Sequence, residues 1–149
     1  MSVDAVTRLR LLAAGLHTTF YAEEYLDLPF ETVWAVASDL AGELPHLVPL
    51  LRDFRVEPGD AGRKPAVAVG PLGLRSAFEV RLAPGWCLMQ SRLVVGGMAA
   101  VPEGGGTRFA VLGAARPAAL RPLQRAYALV AGRGRPFIRK AALRAAARA

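Results

Sequence analysis

Cysteine is almost missing from this 149-residue chain, and Cys87 stands alone. A lone thiol forms no internal disulfide, and sparse cysteine suits a reducing compartment, so a cytoplasmic setting is expected. Histidine is nearly as scarce, with only His17 and His46. Two histidines and one cysteine, far apart in sequence, give no metal-ligand spacing; no metal and no other cofactor is expected. No apolar run approaches the roughly 18–20 residues of a membrane-spanning helix. Asp4, Arg8 and Arg10 interrupt the region where a secretory leader would be apolar, so none is expected. The glycine-rich stretches lack the Lys-Ser/Thr of a phosphate loop, and no Gly-x-Ser-x-Gly elbow occurs.

Acidic residues are missing from most of the second half. Residues 1–62 hold ten acids against four bases, residues 63–149 two acids against fifteen, and the whole chain carries +7. From Arg116 onward there are nine basic residues and no acid. Such asymmetry suits an anionic partner for the C-terminal part, either a membrane surface or an acidic protein. It equally suits a solvated helix face that offsets the acidic first half. Without zinc-finger spacing or an aromatic RNA-binding signature, the arginines argue against nucleic acid.

What is present is apolar and regularly patterned. Hydrophobic residues make up 53% of the chain, enough for one domain with a real core. Met1 to Leu16 is amphipathic at helical spacing, and this segment packs on a sheet face, swaps to a partner subunit or frays. Tyr21 to Leu28 interleaves aromatic and apolar residues with acids, as a half-buried strand does. Pro29 ends it. From Phe30 the period changes, with Phe30, Val33, Trp34 and Ala37 on one helical face. Asp39, Gly42 and Pro45 should break that helix before a second short turn ending near Pro49.

The order strand, proline, helix, aspartate in LDLPFETVWAVASDL resembles the opening of the START-like superfamily, also called SRPBCC. Leu26, Leu28, Pro29, Val33, Trp34 and Asp39 match its I-x-A-P-x-x-x-V-W … D pattern. GGGTRF, from Gly104 to Phe109, is similar to the Gly-Thr-Arg that opens one of its last strands. The resemblance implies an α+β helix-grip fold, with a curved antiparallel sheet of about seven strands around a long C-terminal helix. Two short helices would follow strand 1. Residues 18–149 would form this domain and residues 1–17 an N-terminal helical extension. The superfamily includes polyketide aromatase/cyclases and lipid-transfer domains.

After Pro49 the chain reads as a meander. Leu50 to Glu57 alternates, and its buried set would be Leu50, Arg52, Phe54 and Val56, which aims Arg52 inward. Leu74 to Leu82 places Ser76, Phe78, Val80 and Leu82 inside. Leu93 to Val101 and Thr107 to Ala115 are nearly free of charge, so both faces of this hairpin should be covered, by the N-terminal helix or by a second subunit. Gly96 and Gly97 mark a bulge or a close approach. Pro117 to Ala149 should be helical, with Phe137 or Ile138, Ala141, Ala142 and Ala145 along one stripe and a break between Gly132 and Pro136.

A bent sheet closed by a helix leaves an apolar hollow unless large side chains fill it. The candidate lining is Trp34, Phe54, Ser76, Phe78, Met89, Gln90, Met98, Tyr127 and Phe137, although the same residues would also serve a filled core. His46 at the mouth is a candidate acid or base, and Arg52 a candidate partner for an oxyanion, with Glu24 as an alternative mate for the arginine. The functions in play are a polyketide-cyclase-like enzyme that folds its substrate, a non-catalytic carrier of lipid, quinone or another apolar metabolite, and a homodimeric interaction module. The basic C-terminal helix would dock an acidic acyl-carrier protein or an anionic membrane.

Overall fold

The computed structural model of the chain describes residues 3–16, 18–60, 62–115 and 134–149. Its centre is an antiparallel seven-stranded sheet: β1 (Thr18–Leu26), β2 (Asp53–Val56), β3 (Arg63–Val69), β4 (Arg75–Ala83), β5 (Trp86–Gln90), β6 (Val94–Glu103) and β7 (Gly106–Ala115). The spatial order is β1-β7-β6-β5-β4-β3-β2, so β2 to β7 form a meander and β1 closes against its last strand. Four helices are described: α1 (Ala5–Ala14), α2 (Phe30–Ala37), α3 (Leu40–Leu47) and α4 (Gly134–Arg148). The first three precede β2, and only α1 lies on the far side of the sheet.

Period-2 patterning sorts the strands onto two faces. One face carries Phe54, Ala66, Val80, Cys87, Met89, Met98, Phe109 and Val111, packed with Val33, Leu44, Leu47 and Ile138 from the helices. The opposite face carries Val95, Ala99, Ala110, Leu112 and Ala114, and α1 lays Val6, Leu9 and Ala13 across it. Val6 and Leu9 are almost wholly buried there, each contributing roughly 1.5–3 kcal/mol by removal from water. The nearly charge-free hairpin is therefore covered by the N-terminal helix of its own chain. The glycine pair has its reason in that contact. Pairing of β6 with β7 runs without a bulge, and a Cβ on Gly97 would stand 2.8 Å from Leu9 Cδ1. Gly97 lets α1 approach.

Polar contacts fasten α1 in place. The Asp4 carboxylate accepts from the Thr7 N–H at 2.8 Å and caps the helix. Arg10 donates three hydrogen bonds to Glu23 of β1, whose carboxylate also accepts from the Tyr21 hydroxyl at 2.6 Å. The Arg8 guanidinium lies 4.4 Å over the Trp86 ring.

Around the inner helices the structure departs twice from the sequence pattern. α3 runs through both Gly42 and Pro45 instead of ending at them. Asp39 caps it by accepting from the Gly42 N–H, and in an eight-residue helix the missing proline donor forfeits a single bond. β2 begins at Asp53, not Leu50, because Leu50 takes a left-handed φ of 63° and Leu51 N–H closes a turn onto Val48. That turn resets the alternation, so Leu51 faces inward while Arg52 is exposed.

Long-range contacts hold the frame at two places. The buried Thr107 hydroxyl donates to the Leu28 carbonyl at 2.7 Å, joining the Gly-Thr-Arg segment to the bend before Pro29. At the other side, Arg144 of α4 pairs with the buried Glu43 of α3, and Arg148 donates to Asp39 at 2.6 Å and to the Ala35 carbonyl at 3.1 Å. α4 is clamped to the α2–α3 corner through its last turn.

Thr107→Val keeps the shape and strands the Leu28 carbonyl; chemical denaturation should show a loss of about 1–2 kcal/mol. The Arg144 hydrogen bond, opposed by burial, holds the Glu43 carboxyl below the usual glutamate range. A depressed carboxylate stabilises the fold above its unfolded-state value and loses that contribution as pH falls. Thermal unfolding of Glu43→Gln should therefore show a midpoint lowered by a few degrees at pH 7, with the gap to the parent closing below pH 4.5.

Candidate functional site: an apolar cavity beneath the sheet

Between the inner sheet face and α3 lies a cavity of about 370 Å³. Its floor is Phe54 from β2, Ala68 from β3, Ser76 and Phe78 from β4, Met89 from β5 and Met98 from β6. Leu44, Val48 and Leu51 come in from α3 and the turn that follows it; Phe20, Val111 and Phe137 close the side nearest α4. The hollow exists because large and small side chains alternate unevenly across the inner face. Phe54 and Phe78 meet edge to face with centroids 6.0 Å apart, whereas Ala68, Gly70 and Gly96 leave space opposite them. Phe20 lies across Gly113, where any Cβ would collide with its ring.

Six of the sequence candidates share this lining: Phe54, Ser76, Phe78, Met89, Met98 and Phe137. Trp34 does not; it stacks on Phe30, with centroids 6.3 Å apart, and packs against the core from α2. Gln90 ends β5 opposite Glu79 and Val95, outside the lining. Tyr127 lies outside the described residues, as does the start of the break expected between Gly132 and Pro136; from Gly134 onward α4 runs unbroken through Pro136. His46 sits in the last turn of α3 with its side chain exposed, and Arg52 is exposed beyond the Leu50 turn; neither lines the cavity. Glu24 is not available to Arg52 either, since its carboxylate faces Arg135 of α4 at 3.8 Å. Sequence reasoning missed the leucines of the rim, Leu50, Leu51, Leu74 and Leu93. The signal was there: apolar residues within proline- and glycine-rich turns, where polar ones are the rule.

Chemically the lining is quiet. Among the described residues its only polar side chains are Ser76 and Ser91. The Ser91 hydroxyl is committed, accepting from the Leu93 and Val94 N–H groups at 3.2 and 3.1 Å. The Ser76 hydroxyl has no protein partner among the described residues. Cys87 faces the core fully buried, and burial pushes its thiol up to about 12, so it holds its proton. No group of three or more potential metal ligands occurs among the described residues. A second, polar hollow lies along β1 near the start of α4, where Arg10 and Arg135 are matched by Glu23 and Glu24.

A sheet gripping a helix over an internal apolar hollow defines the helix-grip class, and this chain has that fold, the fold of the START-like superfamily. Solved structures bear it out. TTHA0849 from Thermus thermophilus superposes with a TM-score of 0.61 at 18% identity, over 87% of this chain and 98% of that one. The di-domain ARO/CYC StfQ from the steffimycin biosynthetic pathway gives 0.64 at 13% identity, over 87% of this chain and 50% of its own. Ara h 8.0201 gives 0.52 at 12%, over 86% and 97%. No family model matches the sequence, and no curated protein matches it either. At these identities the likeness is one of fold.

A buried, protonated Cys87 should resist alkylation by a maleimide in the native protein at pH 8 and react within minutes once the chain is unfolded. Mass spectrometry of the adduct reads this directly, and rapid native labelling would contradict the burial.

Proposed function

We propose that this protein binds an uncharged, apolar small molecule in the cavity and holds it without acid–base chemistry from the described lining. The carrying observation is the composition of the wall: a 370 Å³ hollow bounded by aliphatic, aromatic and thioether groups, with one uncommitted hydroxyl at Ser76. Its volume falls within the range of roughly 300–1,000 Å³ typical of small-molecule sites. Apolar walls supply affinity through burial, and a single hydroxyl orients one polar atom of the ligand. General acid–base catalysis needs a titratable group within hydrogen-bond reach of the reacting atom. His46 and Arg52, the candidates for that work, both point to solvent.

Cyclase-like chemistry keeps support only from the fold shared with StfQ, a domain architecture that hosts many unrelated functions. Docking of an acidic acyl-carrier protein would follow from that reading, with Arg139 and Lys140 of α4 as the exposed cations to receive it. The interaction-module reading loses its motive, since α1 covers the apolar outer face that a second copy would have used.

Titration with the uncharged fluorophore N-phenyl-1-naphthylamine, with native mass spectrometry for any co-purified molecule, tests the proposal. One-to-one binding is expected. Ala68→Phe, which fills the hollow from β3, should weaken it by about tenfold or more, while His46→Ala and Arg52→Ala leave it unchanged. Equal affinity in Ala68→Phe would move the ligand elsewhere. A substrate whose turnover depends on His46 or Arg52 would replace binding with catalysis.

A further inference from the structure

The end of the sheet where the cavity has its rim is built unlike the rest of the surface. Three loops meet there: residues 48–52 before β2, residues 70–74 between β3 and β4, and residues 91–93 between β5 and β6. Each raises leucine into solvent, with Leu50 56%, Leu72 92%, Leu74 69% and Leu93 51% exposed. Half of the eight large hydrophobic residues exposed among the described residues are thus gathered at one end. Scattered leucines need no explanation, but a cluster does.

The loops are held stiffly. Gly70 N–H donates to Leu74 O at 2.8 Å, Arg52 N–H to Val69 O at 2.8 Å and Ser91 N–H to Val94 O at 2.9 Å. Within this frame Leu50 and Leu72 both occupy left-handed backbone, with φ of 63° and 60°. That conformation is unfavourable for a leucine. Leu72 is strained and almost wholly exposed, and its side chain gains nothing from the fold in return. Each loop also brings an exposed arginine, Arg52, Arg75 or Arg92. Residues 48–52, 70–76 and 90–94 contain no acid; the nearest, Asp53, is already paired with Arg55 at 2.8 Å.

We propose that this end docks onto the interface of an anionic lipid bilayer. The four leucines enter the boundary between headgroups and acyl chains, and the three arginines meet lipid phosphates. Separate apolar tips ringed by cations suit a deformable, negatively charged surface. Because Leu50, Leu74 and Leu93 also border the cavity, docking opens an apolar route between acyl chains and the hollow. The purpose of docking rests on the cavity binding an apolar molecule; the docking itself is measured separately.

The test is flotation of the full chain with vesicles of phosphatidylglycerol and phosphatidylcholine, against phosphatidylcholine alone. The comparison variant combines Leu72→Asn, Arg52→Ala, Arg75→Ala and Arg92→Ala, none of which lines the cavity. Binding to the anionic vesicles is expected, weaker at high salt, and reduced by about tenfold or more in the variant. Naphthylamine binding and thermal stability should persist in it, because asparagine accepts left-handed backbone better than leucine. Three results would overturn the proposal: no affinity of the parent for anionic vesicles, undiminished binding of the variant, or loss only on changing Arg139 and Lys140 of α4. Loss of retention on an immobilised acidic carrier protein, with vesicle binding unchanged, would also overturn it. Vesicle docking by a chain that binds no naphthylamine would support the inference and remove the cavity function.

Discussion

A sheet that is apolar on both faces has to be covered twice, and the two covers here are unequal. On the outside a single helix suffices, because β6 and β7 present small residues and Gly97 lets Leu9 settle close to the backbone. On the inside α2 and α4 meet the concave surface near β1, β6 and β7, and α3 meets it at the opposite edge, against β2. Toward β3 and β4 the side chains are Ala68, Ser76 and Phe78, and no described helix comes down to fill the space above them. The hollow is the remainder of that mismatch in curvature. Protein interiors are otherwise packed as densely as organic crystals, so a hollow of this size needs a frame that keeps it open.

Maintenance falls to contacts remote from the hollow. Thr107 joins the last hairpin to the bend before α2, 79 residues earlier in the chain. Glu43, Asp39 and Ala35 take the cations of Arg144 and Arg148, so the acidic first part of the chain meets the basic last part at one corner. Part of the charge asymmetry is thereby settled inside the fold: Arg144 and Arg148 of α4 neutralise Glu43 of α3 and its capping residue Asp39. Arg139 and Lys140 stay in solvent.

Much of this was legible in the residues. The change of period at Pro29 placed β1 and α2. The alternation of Ser76, Phe78, Val80 and Leu82 set the inward face of β4, and the near absence of charge in β6 and β7 implied cover on both sides. Phe137, Ala141 and Ala145 reached the core as their spacing implied. Errors arose where one local conformation overrides a pattern. The left-handed turn at Leu50 breaks an alternation that looks continuous in sequence, and so Arg52 turns outward. Pro45 reads as a stop, yet an eight-residue helix tolerates the loss of one donor. His46 stays out of the lining for a simpler reason: nearness to the cavity in sequence says nothing of which side of α3 a side chain takes.

The picture that results is a sheet and helices clamped around an apolar void, which we propose holds its ligand by shape and burial. The chain has three methionines, of which Met89 and Met98 line the void and Met1 lies at the N-terminus. Their ε-methyl groups make a direct probe. In a spectrum of the ¹³C-methyl-methionine protein titrated with N-phenyl-1-naphthylamine, the account predicts that the Met89 and Met98 signals move and saturate together. Signals that stay fixed while the fluorophore binds would contradict it, because the ligand would then sit outside the hollow.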